Sequence, residues 1–147
     1  MDITLAPTKS AKVWDSGTST TTVTNLSTVG KAVVSILTTA EAQTRDRLVE
    51  IESFPVSQNA IIEALEEATG ERWAVEKTTT EQQLAEAQES LEKGNLLPAF
   101  YIWVRAFIFS GRPGARLQNA KADSELLRLP REDLQETVEK IAKGETV

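Results

Sequence analysis

An α/β chain is predicted from three observations: short β-branched segments alternate with longer segments of helical period, turn or capping residues bound each of them, and the composition is that of a foldable domain. The 147 residues are 40% hydrophobic and 26% charged, within the globular range. A chain of this length buries about two-thirds of its unfolded surface. It therefore needs no disulfide or metal to close a core.

Residues 9–14 alternate toward Val13 and Trp14, Asp15-Ser16-Gly17 supplies a turn, and the Thr-rich run 18–24 suits a second strand, because β-branched side chains fit a pleated surface. Together they predict a hairpin. Asn25 is placed to cap a helix with Leu26, Val29, Val33, Ile36 and Leu37 on one face, ending near Thr38. Gly30 would let that helix approach a neighbouring backbone, and Lys31 beside it reads as a surface residue. Over 47–54, Leu48, Val49, Ile51 and Phe54 alternate with charged residues and predict a strand.

Ser57 then caps a second helix, with Val56 and Ile61 at the positions of a hydrophobic staple and Ile62, Leu65 and Ala68 continuing its apolar face to Gly70. Residues 73–77 predict a short strand. Thr80 with Gln83 predicts a capping box, opening a helix that runs past Leu84, Ala87 and Leu91 to Gly94. Its Glu81, Glu86, Glu89 and Glu92 read as a solvated face and not as catalytic carboxylates.

The segment 96–109 is apolar nearly all the way round and holds five of the aromatic residues of a chain with 4 Phe, 3 Trp and 1 Tyr. A helix apolar on every face is expected to be buried on every face. Beside that central-core reading stands a pocket reading. Phe100, Tyr101, Trp103, Val104, Arg105 and Phe107 would wall a site for an apolar small molecule, Tyr101 and Arg105 offering a hydroxyl and a cation one helical turn apart. Asp15 beside Trp14 is a third candidate for proton chemistry, against its plainer reading as a turn residue.

Gly111-Arg112-Pro113-Gly114 lacks the spacing and preceding strand of a phosphate loop and reads as a turn. Residues 115–124 are polar and weakly patterned, a mobile loop able to act as a lid. Pro130 opens a last amphipathic helix, with Leu134, Val138 and Ile141 inward and Lys140 and Lys143 at its C-terminal end.

Composition narrows the function classes. With no Cys and no His, zinc sites of the usual ligand type, thiol chemistry and Ser-His or Cys-His nucleophile pairs are excluded, and no metal is expected. The formal charge of −6 and the absence of a basic cluster oppose a nucleic-acid partner. The start Met1-Asp2-Ile3-Thr4 has no basic, apolar secretory signal, and 96–109 is short of a ~20-residue membrane span and carries Arg105. No membrane partner and a cytoplasmic location are expected.

The run from Trp14-Asp15-Ser16-Gly17 through Thr22-Val23-Thr24-Asn25-Leu26-Ser27-Thr28-Val29-Gly30-Lys31-Ala32-Val33-Val34 to Ile51-Glu52-Ser53-Phe54-Pro55-Val56-Ser57-Gln58-Asn59 and Thr69-Gly70-Glu71-Arg72-Trp73 resembles the C-terminal half of NmrA-like and isoflavone-reductase-like proteins, particularly the fungal ones. The resemblance implies the substrate-binding half of a Rossmann-like fold: one truncated domain over 1–147, strands and helices mixed in 1–77 and mainly helices in 78–147. In that family a Gly-rich dinucleotide turn and a Lys regarded as catalytic both precede the region matched here, and neither is found in this sequence. No NAD(P) cofactor is therefore expected, since the pyrophosphate needs glycine N–H groups at a helix N-terminus.

Three functions follow: a substrate-binding half not competent for hydride transfer on its own, a cofactor-independent isomerase or cyclase acting on an apolar metabolite, or a non-catalytic regulatory module. A half-sheet leaves an unpaired edge and uncovered apolar helix faces. A homodimer, or a separate Rossmann-type partner chain, is the expected remedy.

Overall fold

Two small sheets organise the chain in this computed structural model, which describes residues 2–4, by their backbone alone, 9–112 and 114–147. In the first sheet β2 (Ser10–Trp14) lies between β1 (Asp2–Thr4), antiparallel to it, and β5 (Ala74–Thr78), parallel to it in the register Ser10 to Ala74 and Trp14 to Thr78. The second is an antiparallel pair of β3 (Thr20–Val23) and β4 (Phe54–Ser57), with Thr20 opposite Ser57 and Val23 opposite Phe54. The helices are α1 (Leu26–Thr38), α2 (Glu41–Thr44), α3 (Gln58–Thr69), α4 (Thr80–Glu92), α5 (Leu96–Phe109), α6 (Ala120–Leu126) and α7 (Leu134–Ala142). The chain is a mixed α/β fold, consistent with an α+β fragment.

The hairpin expected from residues 9–24 does not form: β2 and β3 belong to different sheets. Asp15 and Gly17 both have positive φ, 53° and 70°, and turn the chain out of the plane of β2. The backbone of Trp14 is also already occupied, because the Gln58 amide accepts its N–H and donates to its carbonyl. The strand expected over 47–54 is likewise absent until Phe54. Side chains claim its backbone instead: Asp123 accepts the N–H of Glu50, Ser124 that of Glu52, and the Thr24 hydroxyl donates to the carbonyl of Ile51.

The main core forms where β2 meets α3 and α7. Ala11 and Val13 of β2 pack with Ile62, Ala64 and Leu65 of α3, Trp73 and Val138, and Ile61, Ala68 and Leu134 lie against them. Each large aliphatic group buried there contributes about 2 kcal/mol. Helix α3 starts as its sequence dictates, the Ser57 hydroxyl accepting the N–H of Ala60, and ends on Gly70 in the left-handed region. A second cluster joins Ala32, Ala40 and Leu127 with Ile36, Val49, Ile51 and Leu129.

Helix α1 has the expected bounds but turns its small residues inward. Thr28 and Ala32 are buried, whereas Leu26 is 72% and Leu37 70% exposed. Nothing lies within 4 Å of where a Cβ on Gly30 would stand, so the expected close approach there is not made. Helix α4 opens one residue earlier than its sequence suggested, on a capping box between Thr79 and Gln82, and α7 opens on Asp133, whose carboxylate accepts the N–H groups of Gln135 and Glu136.

The largest departure concerns α5. It packs along α4 and touches β3, buries only Ala99 and Ala106, and leaves most of its large side chains in solvent. It is not a central core helix within this chain.

Candidate functional site: a basic cleft beside an aromatic stripe

The connection leaving the carboxyl end of β2 and the connection leaving α5 face each other across a cleft of about 710 Å³, lined by Ser19, Thr20, Gly111, Arg112, Gly114, Arg116, Leu117 and Gln118. Local chemistry sets each wall. Gly111 (φ 67°) and Gly114 (φ 91°) take the left-handed conformation that turns the chain back after α5. A Cβ on Gly111 would stand 3.0 Å from the Ser19 hydroxyl, so the two walls touch at their base. The sequence-predicted turn at 111–114 agrees at Gly111, Arg112 and Gly114, while Pro113 lies outside the described residues.

Residues 115–124 were expected to be a mobile loop able to act as a lid; they are helical from Ala120 and hydrogen-bonded to neighbouring segments before it. The Thr21 hydroxyl donates to the carbonyl of Ala115 at 2.9 Å, the N–H of Leu117 donates to Thr22 Oγ1 at 3.1 Å, and the N–H of Asn119 donates to Glu50 at 2.8 Å. The anchor below is Asp123, a buried carboxylate held by Arg47 at 2.7 and 3.3 Å and by the N–H of Glu50 at 2.9 Å. The Arg47 hydrogen bonds hold the Asp123 carboxyl below the usual carboxylate range; burial opposes this, and the Glu50 N–H and the Arg47 charge reinforce it.

Phe100, Trp103, Val104 and Phe107 follow the i, i+3, i+4, i+7 spacing of a single helix face, and all four are exposed. The stripe runs into the cleft, since a Cβ on Gly114 would stand 3.5 Å from the tip of the Phe107 ring. Tyr101 is 58% exposed and meets Phe100 edge-on at 6.1 Å. Arg105 is half-buried and holds an interaction of its own. At the C-terminal end of the helix, Phe109 lies 6.3 Å from the buried Trp14 ring, whose indole N–H has no hydrogen-bond partner among the described residues.

Asp15 is engaged elsewhere. Its carboxylate accepts both the backbone N–H and the hydroxyl of Thr80, tying the end of β2 to the first turn of α4. Glu81, Glu86, Glu89 and Glu92 are all exposed. Sequence reasoning nominated none of the polar residues that line the cleft. The available signal was the pair Arg112 and Arg116 flanking a glycine turn directly after an aromatic helix.

A further, half-buried carboxylate, Glu132, sits where α1, α7 and the 53–54 segment converge. It accepts hydroxyl protons from Thr28, at 2.7 Å, and from Ser53. Burial pulls its pKa up, but the hydrogen bonds from Ser53, Thr28 and Asn25 and the charge of Lys31 outweigh it, so the carboxyl titrates below its ordinary value. Among the described residues, no group of acidic side chains is arranged to hold a metal, and no helix is long and apolar enough to cross a membrane.

Comparison with known proteins gives two informative relatives. Over 134 residues, or 91% of this chain, it is 31% identical to the oxidoreductase aprR of Aspergillus flavus, of which that alignment covers 45%. Over 85 residues it is 32% identical to the oxidoreductase poxI of Penicillium oxalicum, covering 58% of this chain and 27% of the relative. The chain thus spans less than half the length of either. No family model matches, and no solved structure matches. The similarities support an oxidoreductase-family relationship.

Proposed function

We propose that the chain is the substrate-binding half of an NmrA-like protein of the oxidoreductase family, that it binds an apolar small molecule along α5, and that it does not transfer hydride by itself. The observation that carries this reading is the alignment of 91% of the chain with under half of a relative named as an oxidoreductase. The strand-to-helix junctions argue in the same direction. Pyrophosphate binding needs glycine N–H groups between a strand and a helix N-terminus. The junctions β3 to α1, β4 to α3 and β5 to α4 run through Thr24-Asn25, Ser57 and Thr79, with no glycine at any of them. The dinucleotide and its catalytic residue would come from a separate Rossmann-type polypeptide region, and the location we assign is cytoplasmic.

Calorimetric titration tests the reading. NADH and NADPH are expected to give no saturable heat at millimolar concentration, whereas an apolar aromatic compound quenches Trp103 fluorescence saturably. A micromolar dissociation constant for either dinucleotide overturns the assignment.

A further inference from the structure

We propose that the cleft is an anion subsite, in which Arg112 and Arg116 take the acidic head of a ligand whose apolar body lies along Phe107 and Trp103. The inference deepens the substrate-binding reading by naming the substrate class, and rests on it.

Four observations converge. The chain carries a formal charge of −6, yet the carboxylate-free lining of this cleft presents two cations. Neither guanidinium has an ion-pair or hydrogen-bond partner among the described residues, although Arg45, Arg47 and Arg72 are all paired. A planar guanidinium matches the two oxygens of a carboxylate or phosphate, and Ser19, Thr20 and Gln118 add neutral hydrogen-bonding groups around the same space. Lastly, the aromatic stripe of α5 borders the cleft, the tip of the Phe107 ring lying 3.5 Å from where a Cβ on Gly114 would stand. The polar and apolar halves of an amphiphilic acid therefore find their complements on adjoining surfaces.

The fixed backbone of 115–119 makes the geometry durable. Because Ala115, Leu117 and Asn119 are tied to Thr21, Thr22 and Glu50, Arg116 is carried on an anchored segment and not on a free loop.

Three probes of one shape decide the matter: naphthoate, naphthyl phosphate and naphthol, titrated against the intact chain and against the double variant Arg112→Gln, Arg116→Gln. Either anion is expected to bind the intact chain about tenfold or more tightly than naphthol, and to lose that advantage in the double variant. The preferred head, carboxylate or phosphate, is read from which anion binds more tightly. Both arginines are exposed, so the variant's unfolding transition should match that of the wild type. Equal affinity of anion and naphthol, or an anion affinity unchanged by the substitutions, overturns the subsite and leaves the substrate-binding reading standing. Failure of all three probes to bind at millimolar concentration overturns both.

Discussion

The Gln58 side chain closes a two-bond bracket on the backbone of Trp14, accepting its N–H at 3.0 Å and donating to its carbonyl at 3.1 Å. Among the described residues β1 pairs with Ser10 to Lys12 of β2, and at Trp14 the glutamine amide bonds both backbone groups. Both residues are almost wholly buried.

Gln58→Ala should therefore destabilise the chain by about 1–3 kcal/mol, because it leaves the buried Trp14 N–H unsatisfied while the Trp14 carbonyl keeps only the N–H of Gly17. Gln58→Glu should also destabilise it, since a carboxylate cannot donate to the Trp14 carbonyl and would be buried with its charge. Urea unfolding at neutral pH measures both. Wild-type stability in Gln58→Ala would show that water replaces the amide.

Gly17 is constrained by the same junction. Its φ is 70°, and a Cβ there would stand 2.2 Å from Asn59 Oδ1 and 2.7 Å from Val13 Cγ1. Gly17→Ala should cost about 2 kcal/mol or more. In the double variant with Asn59→Ala, only part of that loss should return, because the Val13 contact and the backbone conformation remain. Full recovery would mean that Asn59 alone sets the constraint.

These residues mark how far the sequence was legible. Ser57, Gly70 and the ends of α1, α3 and α5 were readable because capping and termination are decided within a few residues. The pairing of β3 with β4 in place of β2 was not, since it depends on a glutamine 44 residues away from Trp14. The segment 47–54 has a strand's alternation, but its backbone partners are the side chains of Asp123 and Ser124, which no local pattern announces. The aromatic composition of α5 correctly singled out an unusual helix, yet composition carries no information on whether its cover lies within the same chain. In sequence Arg112 is weighed within a phosphate-loop pattern and reads as part of a turn, and Arg116 is passed over, because basic residues in a loop acquire meaning only from the walls around them.

Two hydrogen-bonded carboxylates, the buried Asp123 and the half-buried Glu132, should make the fold sensitive to acid. Asp123 and Glu132 both titrate below their ordinary values in the folded chain. A depressed folded-state pKa gives stability that is fully present above the unfolded value and lost as pH falls through the folded one. The loss should thus begin near about pH 4 and deepen below it. Urea midpoints measured across this range should fall less steeply for Asp123→Asn and for Glu132→Gln, each of which starts from lower stability at neutral pH. A slope identical to that of the wild type in both variants would place the acid sensitivity elsewhere.

Helix α1 carries the apolar stripe that its sequence announces, but within this chain the stripe has no cover: Leu26, Val29, Val33 and Leu37 are exposed. An uncovered stripe of this kind favours association, and a second copy supplies an identical one that can meet it about a two-fold axis. Light scattering at micromolar concentration should report about twice the chain mass of 16.1 kDa. Val33→Glu with Leu37→Glu should yield a folded monomer, since charges there would be buried only in the dimer, and exposed substitutions shift the stability of a single chain by no more than about 0.5 kcal/mol. The anion preference of the cleft should survive in that monomer, because no cleft residue belongs to α1. A wild-type chain that stays monomeric and well folded under the same conditions would show that α1 is stable uncovered, and would remove the case for a homodimer through this face.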